Sequence, residues 1–221
     1  MSHFCVCVFH DKNTSIHTLL APYDENLVVE PYVEYTKEDA ISKVRKEIED
    51  FKNGDYAEYL KNPEEYEKKY GYNKTYIEHI KNEFPKHINW TDDQCYDYEK
   101  SFYEPNMIDK DGNLLSKYNS NSKWDWYVVG GRWDGGIPMK TNRKLEIKSC
   151  NECKVSQIDM NKIATPYAYI DTNGIWNERG EMGWFGIGSN EKDKNTWDKE
   201  FKKFIKSQKE STIITLVDCH I

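Results

Sequence analysis

Residues 124–136 read Trp-Asp-Trp-Tyr-Val-Val-Gly-Gly-Arg-Trp-Asp-Gly-Gly, which sets a guanidinium, two carboxylates, three indoles and a phenol on a short, glycine-flanked backbone. That combination suits a flat, polar ligand. Arg132 could hold a phosphate or carboxylate through two parallel hydrogen bonds, while Trp124, Trp133 or Tyr127 stacks on a ring. Asp125 or Asp134 could then bond a ribose hydroxyl, bind a metal or act as a base. A second reading stays open: Arg132 pairs with Asp125 or Asp134 and braces a tight turn, because structural ion pairs have the same sequence signature. Glu181 and Trp184, in the glycine–aromatic stretch 178–188, are the candidates for an opposite wall.

That second stretch is no phosphate loop. Gly180, Gly183, Gly186 and Gly188 do not open a helix that would present amides to an anion, and no Gly-Lys-Ser/Thr occurs. As a connection, it would place Trp184 and Phe185 as core plugs. His3, Asp218 and His220 stand at the outer ends of the terminal strands. Two imidazoles and a carboxylate could form an acid/base pair or a metal site. Antiparallel pairing is expected to separate them along the sheet, and parallel pairing does not by itself join them, so solvent-facing strand ends are the expectation. Cys5 and Cys7 share a strand face with His3. Cys150 and Cys153 have the spacing of a zinc knuckle, but a structural zinc site shows two such pairs, so no metal is expected. Gly-x-Ser-x-Gly, His-Glu-x-x-His, His-x-Glu and paired His-x-Ser/Thr boxes are all absent.

The elements that must position these groups follow from pattern. Residues 3–10 form an apolar strand buried on one or both faces, and 211–221 a second strand with Ile213, Thr215, Val217 and Cys219 on one side. Residues 124–129 form a strand, with Trp124, Trp126 and Val128 on one face and Asp125, Tyr127 and Val129 on the other. Residues 27–33 are extended, 104–122 are a loop, and 165–178 form a hairpin turning at Thr172-Asn173-Gly174. Residues 138–162 are a polar hairpin excursion. A helix spans 37–52, capped by Thr36 and ended by Asn53-Gly54, with Ile41, Val44, Ile48 and Phe51 on one face. Another spans 195–208, with Trp197, Phe201, Phe204 and Ile205 on one side. From 55 to 103 short Tyr-, Glu- and Lys-rich helices are broken by Pro63, Gly71 and Pro85, and Thr91-Asp-Asp-Gln opens the last of them.

These elements predict a single α+β domain over 1–221. Its mainly antiparallel sheet carries both terminal strands, helices pack on one face, and 55–103 is a Tyr-rich helical insertion. A net charge of −7 argues against broad nucleic-acid binding, which needs an extended basic surface, yet permits an anionic small molecule beside one well-placed Arg. With no secretory leader and no long apolar run, the expected location is the cytoplasm, with no membrane span, and the six cysteines are expected to be thiols. No cofactor is implied.

Several stretches together resemble an uncharacterised family of proteins encoded by tailed bacteriophages and prophages. They are Met1-Ser-His-Phe, Leu20-Ala-Pro-Tyr-Asp-Glu-Asn26, Glu30-Pro-Tyr32, the Trp-Asp-Trp-Tyr-Val-Val-Gly-Gly-Arg-Trp box ending at 133, residues 178–184, and the ending Val217-Asp-Cys-His-Ile. The resemblance implies an accessory protein in the cytoplasm of an infected bacterium and assigns no catalytic residue. Cys150-Asn-Glu-Cys153 is not a feature of that family. The reading that results is a pocket for a nucleotide-like or other anionic molecule, walled by Trp124, Asp125, Tyr127, Arg132, Trp133 and Asp134 with Glu181 and Trp184 opposite. It would sequester or modify that molecule, in the phage setting one used in host defence signalling. The rival reading is an interaction module that blocks a host protein through the acidic, Tyr-rich 55–103 surface. A third is a hydrolase drawing acid and base from Asp125, Asp134, Glu181 and His220.

Overall fold

The computed structural model describes residues 2–140, 148–182 and 188–221. Its first half runs β1 (His3–His10), α1 (Ile16–Leu20), β2 (Tyr32–Tyr35), α2 (Lys37–Phe51), α3 (Ala57–Lys61), α4 (Pro63–Tyr70), α5 (Lys74–Glu78), α6 (Phe84–His87) and α7 (Asp92–Lys100). The second half runs β3 (Leu114–Ser116), β4 (Trp126–Val129), β5 (Ile137–Pro138), β6 (Ser149–Cys150), β7 (Glu152–Lys154), β8 (Ala168–Ile170), β9 (Trp176–Glu178), β10 (Glu181–Met182), β11 (Gly188–Ser189), α8 (Lys194–Ser207) and β12 (Ile213–His220). The chain divides into two compact units, Met1–Val29 with Tyr118–Ile221, and Glu30–Lys117.

The first unit is built on a mixed, mostly antiparallel sheet in the order β4-β12-β1-β8-β9, with β7 beside β12 beyond the end of β4. Both terminal strands lie inside it. β1 pairs antiparallel with β12 along its whole length and parallel with β8. Sheet strands covered on both faces need apolar residues on both, which is why 3–10 and 213–220 are near-continuous apolar runs. On one face Cys7, Phe9, Ile214 and Leu216 pack against Trp197, Phe201 and Ile205 of α8. On the other, Phe4, Val6, Val8, Val217 and Cys219 pack against Leu19 and Leu20 of α1. The positions of Trp197, Phe201 and Ile205 place one stripe of α8 on the sheet. Asp193 caps its start by accepting from the Asn195 N–H, and the Trp197 indole donates to the Pro166 carbonyl at 2.8 Å. Burying each such aromatic contributes on the order of 2–3 kcal/mol.

In the second unit α2 packs on α7 around Ala40, Tyr96 and Leu114. Thr36 caps α2 by accepting from the Asp39 N–H, and its hydroxyl donates to the Asp39 carboxylate. Thr91 and Gln94 close a reciprocal capping box at the start of α7. Residues 55–103 lie in this unit, where Tyr66, Tyr70 and Tyr76 cluster and the Tyr66 and Tyr76 hydroxyls share a bond of 2.8 Å. Asn53-Gly54 breaks the helix as expected: α2 closes at Phe51 and Gly54 leaves helical φ/ψ. The chain passes through one wide turn, kinks at Gly54 and continues into α3, because Tyr56 of that turn is held between Tyr59 of α3 and Phe84 of α6. The extended segment is β2 at 32–35, paired with β3 inside the expected loop.

All six cysteines are free thiols. No helix among the described residues is long and apolar enough to cross a membrane.

Candidate functional site

The sheet register decides what stands together. Antiparallel pairing sets the first residue of β1 against the last of β12, so His3 lies opposite His220 and Cys5 opposite Asp218. The sequence expectation that antiparallel pairing separates His3, Asp218 and His220 is therefore corrected. That expectation followed each strand's own direction, whereas a strand beginning the chain and a strand ending it meet at their outer ends. On the far side of β12, Trp126 lies opposite His220 and Val128 opposite Asp218. Directly opposed residues share a face. His3, His220 and Trp126 thus form one cross-strand row, and Cys5, Asp218 and Val128 the next.

Side chains complete the arrangement. His220 Nδ1 lies 2.6 Å from Asp125 Oδ1, and His3 Nδ1 lies 2.9 Å from Asp218 Oδ1. Each carboxylate therefore accepts from a protonated Nδ1 and fixes its ring's tautomer. Asp218 is buried and its other oxygen accepts the Arg132 backbone N–H at 2.9 Å. The two imidazoles meet edge to face at 5.1 Å, and the Trp126 indole stacks on His220 at 5.2 Å while remaining 44% exposed. The turn 131–133 reaches Asp218 because Gly130 and Gly131 both take positive φ, with Gly131 against the Asp218 side chain. His220 Nε2 is buried and has no hydrogen-bond partner among the described residues. A buried polar atom left unpaired costs about 1–3 kcal/mol, so this nitrogen calls for a partner from outside the described side chains.

No family model, curated protein or solved structure matches the chain.

Of the residues singled out by sequence, Asp125 and Arg132 belong to this constellation. Trp124 does not share a face with Trp126. It precedes β4, bonds through its backbone to Tyr23 and Glu25, and turns its indole under the opposite face, where the ring nitrogen donates to the Leu20 carbonyl. Tyr127 packs edge-on against it, and burial pushes the Tyr127 phenol up from its ordinary pKa. Trp133 packs half-buried into the cluster beneath α8. Asp134 is exposed and accepts from the Asn151 amide at 2.6 Å. The turn-brace reading is corrected: Asp125 is taken by His220 and Asp134 by Asn151. Among the described residues the exposed Arg132 guanidinium has no carboxylate partner. Glu181, on β10, is exposed and accepts weakly from Ser189 and Asn190 at 3.4 and 3.3 Å. Trp184, with Gly183, Phe185 and Gly186, lies outside the described residues.

Sequence reasoning undervalued His3, Trp126, Asp218 and His220. The available signal was that the polar ends of two apolar terminal strands meet if the strands pair antiparallel. Among the described residues no group of three or more His, Cys, Asp or Glu side chains is placed to hold a metal ion. A separate hollow of about 470 Å³ at the start of α8 is lined by Arg179, Lys194, Trp197 and Asp198 among others. Its main charges are spent, Arg179 on Glu191 at 2.7 Å and Asp198 on Lys202 at 2.9 Å.

Proposed function

We propose that the protein binds an anionic, ring-bearing small molecule of the nucleotide kind at the face carrying Trp126 and the paired imidazoles, with the neighbouring Arg132 as its cation, and sequesters or modifies it. The observation that carries this reading is the exposed Arg132 guanidinium. It lacks a carboxylate partner among the described residues, and its own backbone is anchored to the buried Asp218. A planar guanidinium grips phosphate or carboxylate through two bonds, and an exposed indole offers a stacking face worth about 1–3 kcal/mol per base. The net charge of −7 disfavours long polyanions, leaving a local cation to select a small one. In the phage setting that the sequence resemblance implies, such a molecule would be a nucleotide used in host defence signalling.

Thermal-shift and calorimetric titration of wild type and Arg132→Ala with mono-, di- and cyclic nucleotides tests this. One class should stabilise the wild type, by about 2.7 kcal/mol at a hundredfold excess over Kd, and not the variant. No stabilisation by any nucleotide would refute it.

A second reading has its own observation. Leu60, Tyr72, Tyr98 and Phe102 of the second unit are exposed at 59, 86, 41 and 67%. Residues 55–103 also carry eleven carboxylates against seven lysines. Exposed aromatics on an acidic surface suit a protein interface. A host protein captured by wild type and by Arg132→Ala, and lost on deleting 55–103, would favour this reading.

A further inference from the structure

We propose that this face is a hydrolytic centre for phosphate esters, with His220 Nε2 as general base toward water and His3 Nε2 as general acid toward the leaving oxygen. The proposal rests on the anionic-ligand reading and specifies what befalls that ligand.

A contrast within the same strand pair separates a structural histidine from a working one. His10, buried at the other end of β1, uses both ring nitrogens: Nδ1 bonds the Asp11 carbonyl at 3.0 Å and Nε2 the Thr215 hydroxyl at 2.9 Å. His220 is as deeply buried, at 4% exposure, yet among the described residues only its Nδ1 finds a partner. With that nitrogen donating to Asp125, the neutral ring carries its lone pair on Nε2, which is the form a general base requires. Among the described residues Nε2 bonds no Ser, Thr or Cys, so the nucleophile assigned to it is water.

His3 supplies the complementary half. Its Nδ1 is held by Asp218 as His220's is held by Asp125, and its side chain is more open, at 13% exposure. The two rings are close enough for one phosphoryl group to touch both. The Arg132 backbone N–H shares Asp218 with His3, so the residue is anchored next to the acid, and in this proposal its exposed guanidinium neutralises the non-bridging phosphoryl oxygens. The Trp126 indole on the outer strand β4 stacks on the face of His220 and is exposed.

The step balances without a further reagent. His220 Nε2 takes a proton from water as the water oxygen bonds to phosphorus. The ester P–O bond breaks with its electron pair left on the departing oxygen, and a doubly protonated His3 gives that oxygen its Nε2 proton. The proton gained by His220 returns to His3 through solvent. Asp125 and Asp218 are positioning residues.

The test follows phosphorus-31 spectra of wild type with mono-, di-, tri- and cyclic nucleotides and with bis(p-nitrophenyl) phosphate, beside calorimetric binding of the same compounds. Wild type should turn over at least one of them in oxygen-18 water with one heavy oxygen entering the phosphoryl product. His220→Gln should lose about 10²–10⁴-fold in kcat with Kd changed less than about threefold. Asp125→Asn, isosteric at a one-third-exposed carboxylate, should lose at least tenfold in kcat and carries the test if His220→Gln does not fold. Nucleotide binding without turnover would overturn hydrolysis and leave the binding reading standing. Turnover retained in both variants would overturn the role of His220. No binding by any compound would remove the underlying reading and the proposal together.

Discussion

Replacing Gly131 by alanine tests the geometry that joins the Arg132 turn to the sheet. Gly131 has φ +54°, and a Cβ built on it would lie 2.4 Å from both the Cβ and the Oδ2 of Asp218. Left-handed backbone costs a non-glycine residue roughly 1–2 kcal/mol. The contact cannot be relieved by a flexible side chain, because Asp218 sits in β12 with strands on both sides. The turn must therefore move away and break the bond from the Arg132 N–H to Asp218, which as a bond to a charged group is worth about 1.5–3 kcal/mol. Together these predict a loss of about 2.5–5 kcal/mol, or a fall of about 5–20 °C in Tm at the slope expected for a chain of this length. Tryptophan fluorescence is the assay, since every Trp except Trp90 lies in the first unit. Gly174→Ala is the control: its φ is +83°, but its nearest contact is 3.7 Å from Leu19 Cδ2, so only the backbone cost of about 1–2 kcal/mol applies. Equal losses in the two variants would refute the claim that the turn is clamped onto Asp218.

Two further outcomes are expected of the same structure. Lys43→Met should destabilise the second unit by about 2 kcal/mol in denaturant melts, because it leaves the buried Glu99 without its partner at 2.6 Å and Lys43 is itself partly solvated. Adding Glu99→Leu to that variant should recover part of the loss. Burial pushes the Tyr167 phenol up to about 12, while the unfolded chain titrates near 10. The neutral phenol's contribution is whole below pH about 10 and is lost as pH rises from there through about 12. Stability of Tyr167→Phe measured across that window should therefore fall less steeply than that of wild type.

What the sequence made legible depends on how local the cause is. β1, β12, α2 and α8 stand where apolar alternation or helical spacing places them, because strands covered on both faces and one-sided helices leave their periods in the chain. The capping pairs Thr36/Asp39 and Thr91/Gln94 are three residues apart and equally visible. β3 was hidden because three residues paired with β2 carry too little pattern. Trp124 takes the face opposite to the one alternation implies because β4 begins only at Trp126, two residues later. At the site, Arg132 and Asp125 were visible by type and spacing. Their partners Asp218 and His220 lie 86 and 95 residues away, and only the strand register joins them. That register is fixed by packing on both sheet faces, which no short motif records.

The most direct test of the account follows the side-chain nitrogens of His3 and His220 by nitrogen-15 spectroscopy during nucleotide titration. Without ligand, His220 should show the tautomer protonated at Nδ1. With the binding nucleotide, both His3 and His220 resonances should move, while His79 and His87 of the second unit stay fixed, and Arg132→Ala should abolish the change. Binding that leaves His3 and His220 unmoved, or a His220 protonated at Nε2 alone in the free protein, would contradict the site.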